Sequence, residues 1–298
     1  MPPCRWRSSN ILTEAAQTQD YQDELGVAVD LARNAGSAIL EFYNRPIEVL
    51  QKFDENAREP VTLADRIANE LIVAGLHRRF PDDGILAEES EDTDRRLGKR
   101  RVWMVDPLDG TNGFIDGNGD FAVQIGLSVD GKAVLGVVYQ PLTELLYRAV
   151  RGLGTWIESP DSDLIEARVS EHTSLAQMRL AASRSHRSPR MDRVVRALGV
   201  QHEVQRGSVG IKVGLIIEQQ CDIYVHLSPR TKQWDTCAPQ IILTEAGGTF
   251  SDLFGNAITY NAADVQHRNG LVATNGAAHE QVISTLGPLL AEFGRLPA

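Results

Sequence analysis

The sequence is short of cysteine. Cys4, Cys221 and Cys237 are the only three in 298 residues; they are widely spaced, with no CxxC pair and no Cys/His ligand set. A disulfide framework and a structural zinc site are excluded, and a reducing compartment fits. Positive charge is also in deficit. Thirty Lys and Arg stand against 40 Asp and Glu, a net charge of −10, so a nucleic-acid polymer would meet repulsion where it needs a basic stripe. No run approaches the ~18 consecutive apolar residues of a membrane span. The N-terminal MPPCRWRSSNILTEAAQTQDY lacks the apolar segment of a secretion signal, and Glu14 and Asp20 speak against an organellar leader. Residues 1–20 therefore read as a loose tail, and the expected location is cytoplasmic. Neither proline nor glycine is in excess, and 42% hydrophobic with 23% charged residues is ordinary globular composition. A chain this long fits one large domain or two ordinary ones, and two are expected.

What is present begins with helices. From Tyr21 to Asn44, Leu25, Ala28, Val29, Ala32, Ala35, Ile39 and Phe42 recur at three- and four-residue steps, an amphipathic helix. A second helix follows Pro60, with Thr62 as N-cap, Asp65 three residues on, a buried face of Ile67, Leu71, Ile72 and Leu76, and Pro81 as its stop. Short apolar runs then read as an antiparallel sheet: Ile85–Ala87, Val102–Val105, Phe121–Val129 and Ala133–Tyr139, the last two joined by the hairpin signal Asp130-Gly131-Lys132. Leu145–Val150 and Thr155–Ile157 extend it. Ser159-Pro160-Asp161-Ser162-Asp163 is the expected junction, dividing an α+β metal-binding unit at 21–158 from an α/β unit at 159–298. The second unit alternates strands (Arg179–Ala182, Cys221–His226, Gly270–Ala273) with helices (Arg190–Leu198, Ser208–Gln219, Thr236–Ala246, Ala278–Phe293).

Three acidic clusters each adjoin an apolar run: Ala87-Glu88-Glu89-Ser90, Val105-Asp106-Pro107-Leu108-Asp109-Gly110-Thr111 and Trp234-Asp235-Thr236. The middle one is a strand, a carboxylate, a turn, a carboxylate and a helix start. Hard divalent cations want oxygen, so Asp106, Asp109 and the Leu108 carbonyl suit Mg²⁺. Free N–H groups at Gly110 and Thr111 suit phosphate oxygens. Acidity of the whole chain agrees, since an anionic substrate needs cations among the carboxylates. Taken singly, each cluster admits a plainer reading: Asp109 and Asp235 as helix N-caps, Asp106 as a strand end, Glu88-Glu89 as a solvated loop. Their conjunction favours chemistry.

The motifs DPLDGT (106–111) and WDTCA (234–238), with Glu88-Glu89 upstream, resemble those of the inositol monophosphatase superfamily from about Leu25 to Tyr260. Ser183-Arg184-Ser185-His186, Gly207–Lys212 and the segment Ser228–Pro239 are similar to its 3'(2'),5'-bisphosphate nucleotidase branch. Asn112-Gly113-Phe114 departs from the Lys-Glu-aromatic that often follows DGT there. Ser208 stands at a position often held by glycine. The resemblance implies a layered αβαβα sandwich of the inositol monophosphatase/fructose-1,6-bisphosphatase type. It implies two or three Mg²⁺ ions held by Glu88, Asp106, the Leu108 carbonyl, Asp109 and Asp235. It pairs Asp65 with Thr111 on the attacking water and places the nucleotide against His186, Ser208 and Lys212. Lithium sensitivity is a further expectation. From residue type alone His186 is equally a surface-loop histidine and Lys212 a solvated helix residue.

The expected activity is removal of the 3'-phosphate from adenosine 3',5'-bisphosphate by activated water, on a small soluble substrate, with no membrane or nucleic-acid partner. Inositol monophosphate is the rival substrate. A phosphonucleotide-binding protein without turnover is the rival class, against which the acid at every expected ligand position speaks. The run Arg95–Arg101 reads as a solvated basic loop with no assigned role.

Overall fold

A computed structural model describes residues 20–54, 57–184 and 188–296. The first part of the chain forms α1 (Gln22–Leu40), β1 (Val49–Asp54), β2 (Ala57–Thr62), α2 (Leu63–Arg79), β3 (Gly84–Ala87), β4 (Arg101–Asp109), α3 (Thr111–Ile115), β5 (Ala122–Val129), β6 (Lys132–Gln140), β7 (Leu145–Val150), β8 (Thr155–Ser159) and β9 (Ser162–Ala167). The remainder forms β10 (Arg179–Ser183), α4 (Pro189–Leu198), β11 (His202–Arg206), α5 (Val209–Ile217), β12 (Ile223–His226), α6 (Gln233–Glu245), β13 (Thr249–Ser251), β14 (Leu271–Thr274) and α7 (His279–Glu292).

Two sheets carry most of the chain, and β1 with β2 forms a separate antiparallel ribbon. One has seven strands in the order β3-β4-β5-β6-β7-β8-β9; its pairings are antiparallel except β3 with β4, which is parallel. The other has five, β11-β10-β12-β14-β13, with β10 parallel to both neighbours and β14 antiparallel to both of its own. Apolar packing defines the layers. Helices α1 and α2 cover one face of the large sheet. Helices α5 and α6 fill the space between the two sheets, and α4 with α7 closes the far face of the small one. The result is the expected αβαβα sandwich. No helix among the described residues is long and apolar enough to cross a membrane.

Two local differences from the sequence reading matter for the site. On α2, Leu71 is exposed, and the buried face is Ala64, Asp65, Ala68, Asn69, Ile72 and Leu76. Two polar side chains, Asp65 and Asn69, thus point inward from this helix. Residues 159–163 form the turn of the β8–β9 hairpin, with Ser159 opposite Ser162, so the expected junction lies inside the seven-stranded sheet. Turn chemistry marks a reversal whether or not the flanking strands then pair. The chain passes from one sheet to the other over 168–178.

Helix α6 lies on the large sheet over a cross-strand pair of glycines, Gly126 opposite Gly136. A side-chain carbon at Gly136 would meet Ala238 O at 2.5 Å and Ile241 Cγ2 at 2.6 Å. Bare backbone at this pair is what allows the helix to sit so close.

Candidate active site

The DPLDGT segment ends β4 with an irregularity. Regular alternation sends residues three apart to opposite faces of a sheet. Here the pairing with β5 shifts between Asp106 and Asp109, at Pro107, and both carboxylates line one cavity. Proline at such a bulge forfeits no ladder bond. Gly110 then adopts φ +101°, and a Cβ there would lie 2.3 Å from Asp120 O, so the turn into α3 requires glycine.

That cavity, about 520 Å³, is lined by Glu59, Glu88, Asp106, Leu108, Asp109, Gly110, Thr111 and Asp235 on its acidic side. Ser183, Ser208, Lys212, Tyr224, His226 and Arg230 line the remainder. Every expected site residue that the structure describes is therefore drawn to one place, apart from Asp65, which reaches it through Thr111. His186 lies outside the described residues.

Asp65 is 1% exposed. Its Oδ2 accepts hydrogen bonds from the Thr62 N–H at 2.7 Å and the Thr62 hydroxyl at 2.6 Å, and its Oδ1 accepts from the Thr111 hydroxyl at 3.0 Å. Burial raises its pKa against the pull of the Thr62 bonds, and Glu88 raises it further. Thr111 has one proton to give, and giving it to Asp65 leaves the hydroxyl oxygen as an acceptor.

The acids repel one another in a desolvated space. Burial pushes the Asp106 carboxyl well above the usual carboxylate range, with Glu88, Asp109 and Asp235 adding to it. Asp235 is raised by burial and then by Asp109 and Glu88. Asp109 is raised by burial but held back by Lys212, the Ser208 hydroxyl and backbone N–H groups. Glu89 is pushed up to about 7 by burial and by Glu88.

Among the described residues, no three acidic, imidazole or thiol groups stand close enough to hold one ion as they are turned. Their oxygens are taken up by protein donors. Lys52 Nζ lies 2.8 Å from Glu88 and 2.5 Å from Glu89. Asp109 Oδ2 accepts from the Ser208 hydroxyl at 2.6 Å, the Gly210 N–H at 3.1 Å and the Gln124 amide, and Asp235 Oδ2 accepts from the Lys232 N–H at 2.8 Å. The donor set nevertheless fits hard divalent cations: it is all oxygen, and several like charges share a buried wall at a cost that a cation would remove.

The profile of the inositol monophosphatase family matches residues 20–290. The chain belongs to the inositol monophosphatase family. It is 37% identical over 236 residues to the 3'(2'),5'-bisphosphate nucleotidase CysQ of Salmonella typhimurium, covering 77% of this chain and 91% of that protein. Its fold is similar to that of the Thermotoga maritima IMPase, with a TM-score of 0.76, 26% identity, and coverage of 91% of this chain and 100% of the other. CysQ from Bacteroides thetaiotaomicron, a bacterial member of the inositol monophosphatase family, superposes with a TM-score of 0.71 at 30% identity, covering 85% of this chain and 97% of that one. As a family member with this acid set, the protein is a metal-dependent phosphatase.

Several residues of this site were not among those expected from the sequence. Gln124 is fully buried in β5, and a lone amide within the apolar run Phe121–Val129 was the available signal. Asp120, 4% exposed, accepts from Arg184 Nε at 2.6 Å and the Gly207 N–H at 2.8 Å, tying the end of β10 and the start of α5 to the Gly110 turn. Lys52, Glu59 and Tyr224 had no sequence signal; long-range packing brings them in.

Proposed function

We propose that the protein hydrolyses the 3'-phosphate of adenosine 3',5'-bisphosphate to AMP and phosphate, using Mg²⁺. One observation carries this reading: the acidic wall and a cationic one belong to the same cavity. Lys212 is 4% exposed, its Nζ donates to Gly207 O at 2.5 Å, and it lies 5.0 Å from the centre of the Tyr224 ring. Burial pulls its pKa down to about 8, with Asp109, Asp120 and Asp235 opposing, so it is still mostly protonated at neutral pH. A buried ammonium suits a second phosphate, which inositol monophosphate does not have. The likeness to the Salmonella typhimurium nucleotidase supports the same substrate.

Glu88, Asp106, the Leu108 carbonyl, Asp109 and Asp235 would hold two or three ions. Bound there, Mg²⁺ supplies Lewis acidity: it neutralises phosphoryl and leaving oxygens and acidifies the attacking water. The chain's own residues do the positioning. Asp65 holds the Thr111 hydroxyl by accepting its hydrogen bond, so the free lone pairs of Thr111 take a hydrogen bond from that water. As the water oxygen bonds to phosphorus, its proton passes to the Thr111 oxygen and the Thr111 proton passes to Asp65, whose pKa is raised by burial. The phosphorus–O3' bond breaks in line, and O3' takes a proton from solvent. The N–H groups of Gly110 and Thr111 receive phosphate oxygens. Ser208 and Lys212 hold the nucleotide side, and a role for His186 there rests on the resemblance alone.

The test is phosphate release from adenosine 3',5'-bisphosphate, inositol 1-phosphate and fructose 1,6-bisphosphate at equal low concentration with saturating Mg²⁺. Adenosine 3',5'-bisphosphate should be turned over fastest. Preference for either of the others refutes the substrate assignment, and tight nucleotide binding without hydrolysis would make the protein a binder.

A further inference from the structure

The basic run read as a solvated loop contains a buried arginine. Arg96, in a 3-10 turn at Arg95–Gly98, is 3% exposed and its stem lies against Gly84, the first residue of β3. Its guanidinium donates from Nε to both oxygens of Asp92 at 3.2 and 3.0 Å and from Nη2 to Asp92 Oδ2 at 2.6 Å. The remaining arm, Nη1, crosses to the second half of the chain and donates to Asn261 Oδ1 at 2.9 Å and Ala262 O at 3.0 Å.

Asn261 answers both sides. Its Nδ2 donates back to Arg96 O at 3.0 Å and Lys99 O at 3.2 Å, and its backbone N–H donates to Gln233 Oε1 at 2.6 Å. Gln233 opens α6 and is 2% exposed. Its Nε2 donates to Ala262 O at 3.3 Å and Asp264 O at 3.0 Å, and its own N–H donates to Val265 O at 2.9 Å. A continuous hydrogen-bonded chain thus runs from Asp92, four residues beyond Glu88, to Gln233, two residues before Asp235.

We infer that Arg96 is a positioning residue, the clasp that sets the distance between the Glu88–Glu89 loop and the first turn of α6. The inference rests on the reading of the cavity as a cation site. Its physical basis is that the two groups of acids come from opposite halves of the fold, and α6 sits on the bare Gly126–Gly136 seat. The seat fixes how near α6 comes to the large sheet, and the bonds through Asn261 and Gln233 tie its first turn, where Asp235 stands, to the segment that follows Glu88. Arg96 touches neither substrate nor cation; it acts through the backbone that presents them.

The experiment is calorimetric titration of MgCl₂ into the substrate-free, full-length protein, with thermal melts alongside. Arg96→Met should weaken Mg²⁺ binding by about tenfold. Arg96→Lys keeps the charge but loses the fork geometry, and should weaken it nearly as much. Asn261→Gly deletes the side chain while keeping the φ of +61° comfortable, and should do the same. The double variant Arg96→Met/Asn261→Gly should be no worse than either single one, because both cut one chain of bonds.

A purely electrostatic role predicts the reverse sign: removing a cation near the acids would tighten Mg²⁺ binding in Arg96→Met and leave Arg96→Lys unchanged, and that result overturns the clasp. A lower melting temperature with unaltered Mg²⁺ affinity overturns it as well. If Arg96→Met does not fold, Asn261→Gly decides. Should the wild-type protein bind Mg²⁺ yet spare adenosine 3',5'-bisphosphate, only the substrate assignment falls, and the calorimetric comparison still judges the clasp. A wild-type protein that takes up no Mg²⁺ overturns both.

Discussion

Gly136→Ala tests whether the close seat of α6 matters for chemistry as well as for packing. The added carbon would stand 2.5 Å from Ala238 O and 2.6 Å from Ile241 Cγ2, where ordinary contacts begin at 3.4 Å. Two of the three nearest atoms belong to the Ala238 backbone, so no side-chain rotation relieves the clash and the helix must move out by about 1 Å. Overpacking of this kind costs about 1–3 kcal/mol, which for a chain of this size lowers Tm by about 2–6 °C. Ala238 is one turn beyond Asp235, so the same shift reaches the carboxylate. A displacement near 1 Å at a catalytic group costs about 100-fold in turnover. Calorimetric melts and kcat at saturating Mg²⁺, measured well below Tm, read the two effects separately. Gly26→Ala is the control: beyond the helix's own neighbouring backbone, nothing would lie within 4 Å of a side-chain carbon at that position on α1, and better helix propensity should raise stability by about 0.5–1 kcal/mol. A Gly136→Ala protein with wild-type Tm would refute the packing geometry. One that melts earlier yet turns over at the wild-type rate would refute the link from seat to site.

Lys212→Ala should raise KM for adenosine 3',5'-bisphosphate by about 10- to 100-fold, the worth of a charged hydrogen bond, while KM for inositol 1-phosphate hardly changes. In the wild type, the bisphosphonucleotide KM should climb as pH passes about 8, where Lys212 loses its proton, and the variant should lack that rise. Asp106→Asn should lower kcat by about 10²- to 10³-fold yet raise the Tm of the cation-free protein, because the amide bears neither the cost of a buried charge among like charges nor that of taking up a proton to neutralise it; melts in EDTA read this, and a lowered Tm would contradict it. Glu89 has a folded pKa raised from 4.5 to about 7, so the stability it contributes is present below pH 4.5 and lost as pH rises through 7. Mg²⁺ relieves the same repulsion. The gap in Tm between protein in Mg²⁺ and in EDTA should therefore widen over that interval, and a gap that narrows would reject the assignment.

The chemistry was most legible where it is local. DPLDGT is a contiguous device: the strand, the proline bulge and the glycine turn all act within six residues, so the text of the chain alone displays two acids and a phosphate-sized turn. The capping box at Thr62 and Asp65 was readable for the same reason. Its second duty was implied by the resemblance and not by local chemistry, because Asp65 faces Thr111 only once α2 has packed with Asn69 and Asp65 turned inward. The hairpin at 159–163 shows the converse failure. Ser-Pro-Asp-Ser-Asp states that the chain turns, and only the partner strand decides whether the turn ends a unit or stays within a sheet.

Residue identity by itself supplied an all-oxygen candidate donor set, a cysteine spacing that supports neither disulfide nor zinc frameworks, and the layered alternation of helix and strand, since these depend on composition and on neighbours a few positions away. Tertiary structure alone decided that Glu88, Asp109 and Asp235, from three distant segments, share one cavity with Lys212, that Lys52 stands against Glu88 and Glu89, and that a basic run hides the buried Arg96. The physical reason is range. Backbone periodicity and turn preference act over a few residues, whereas burial, charge coupling and hydrogen bonding between segments exist only after the two sheets have closed on α5 and α6.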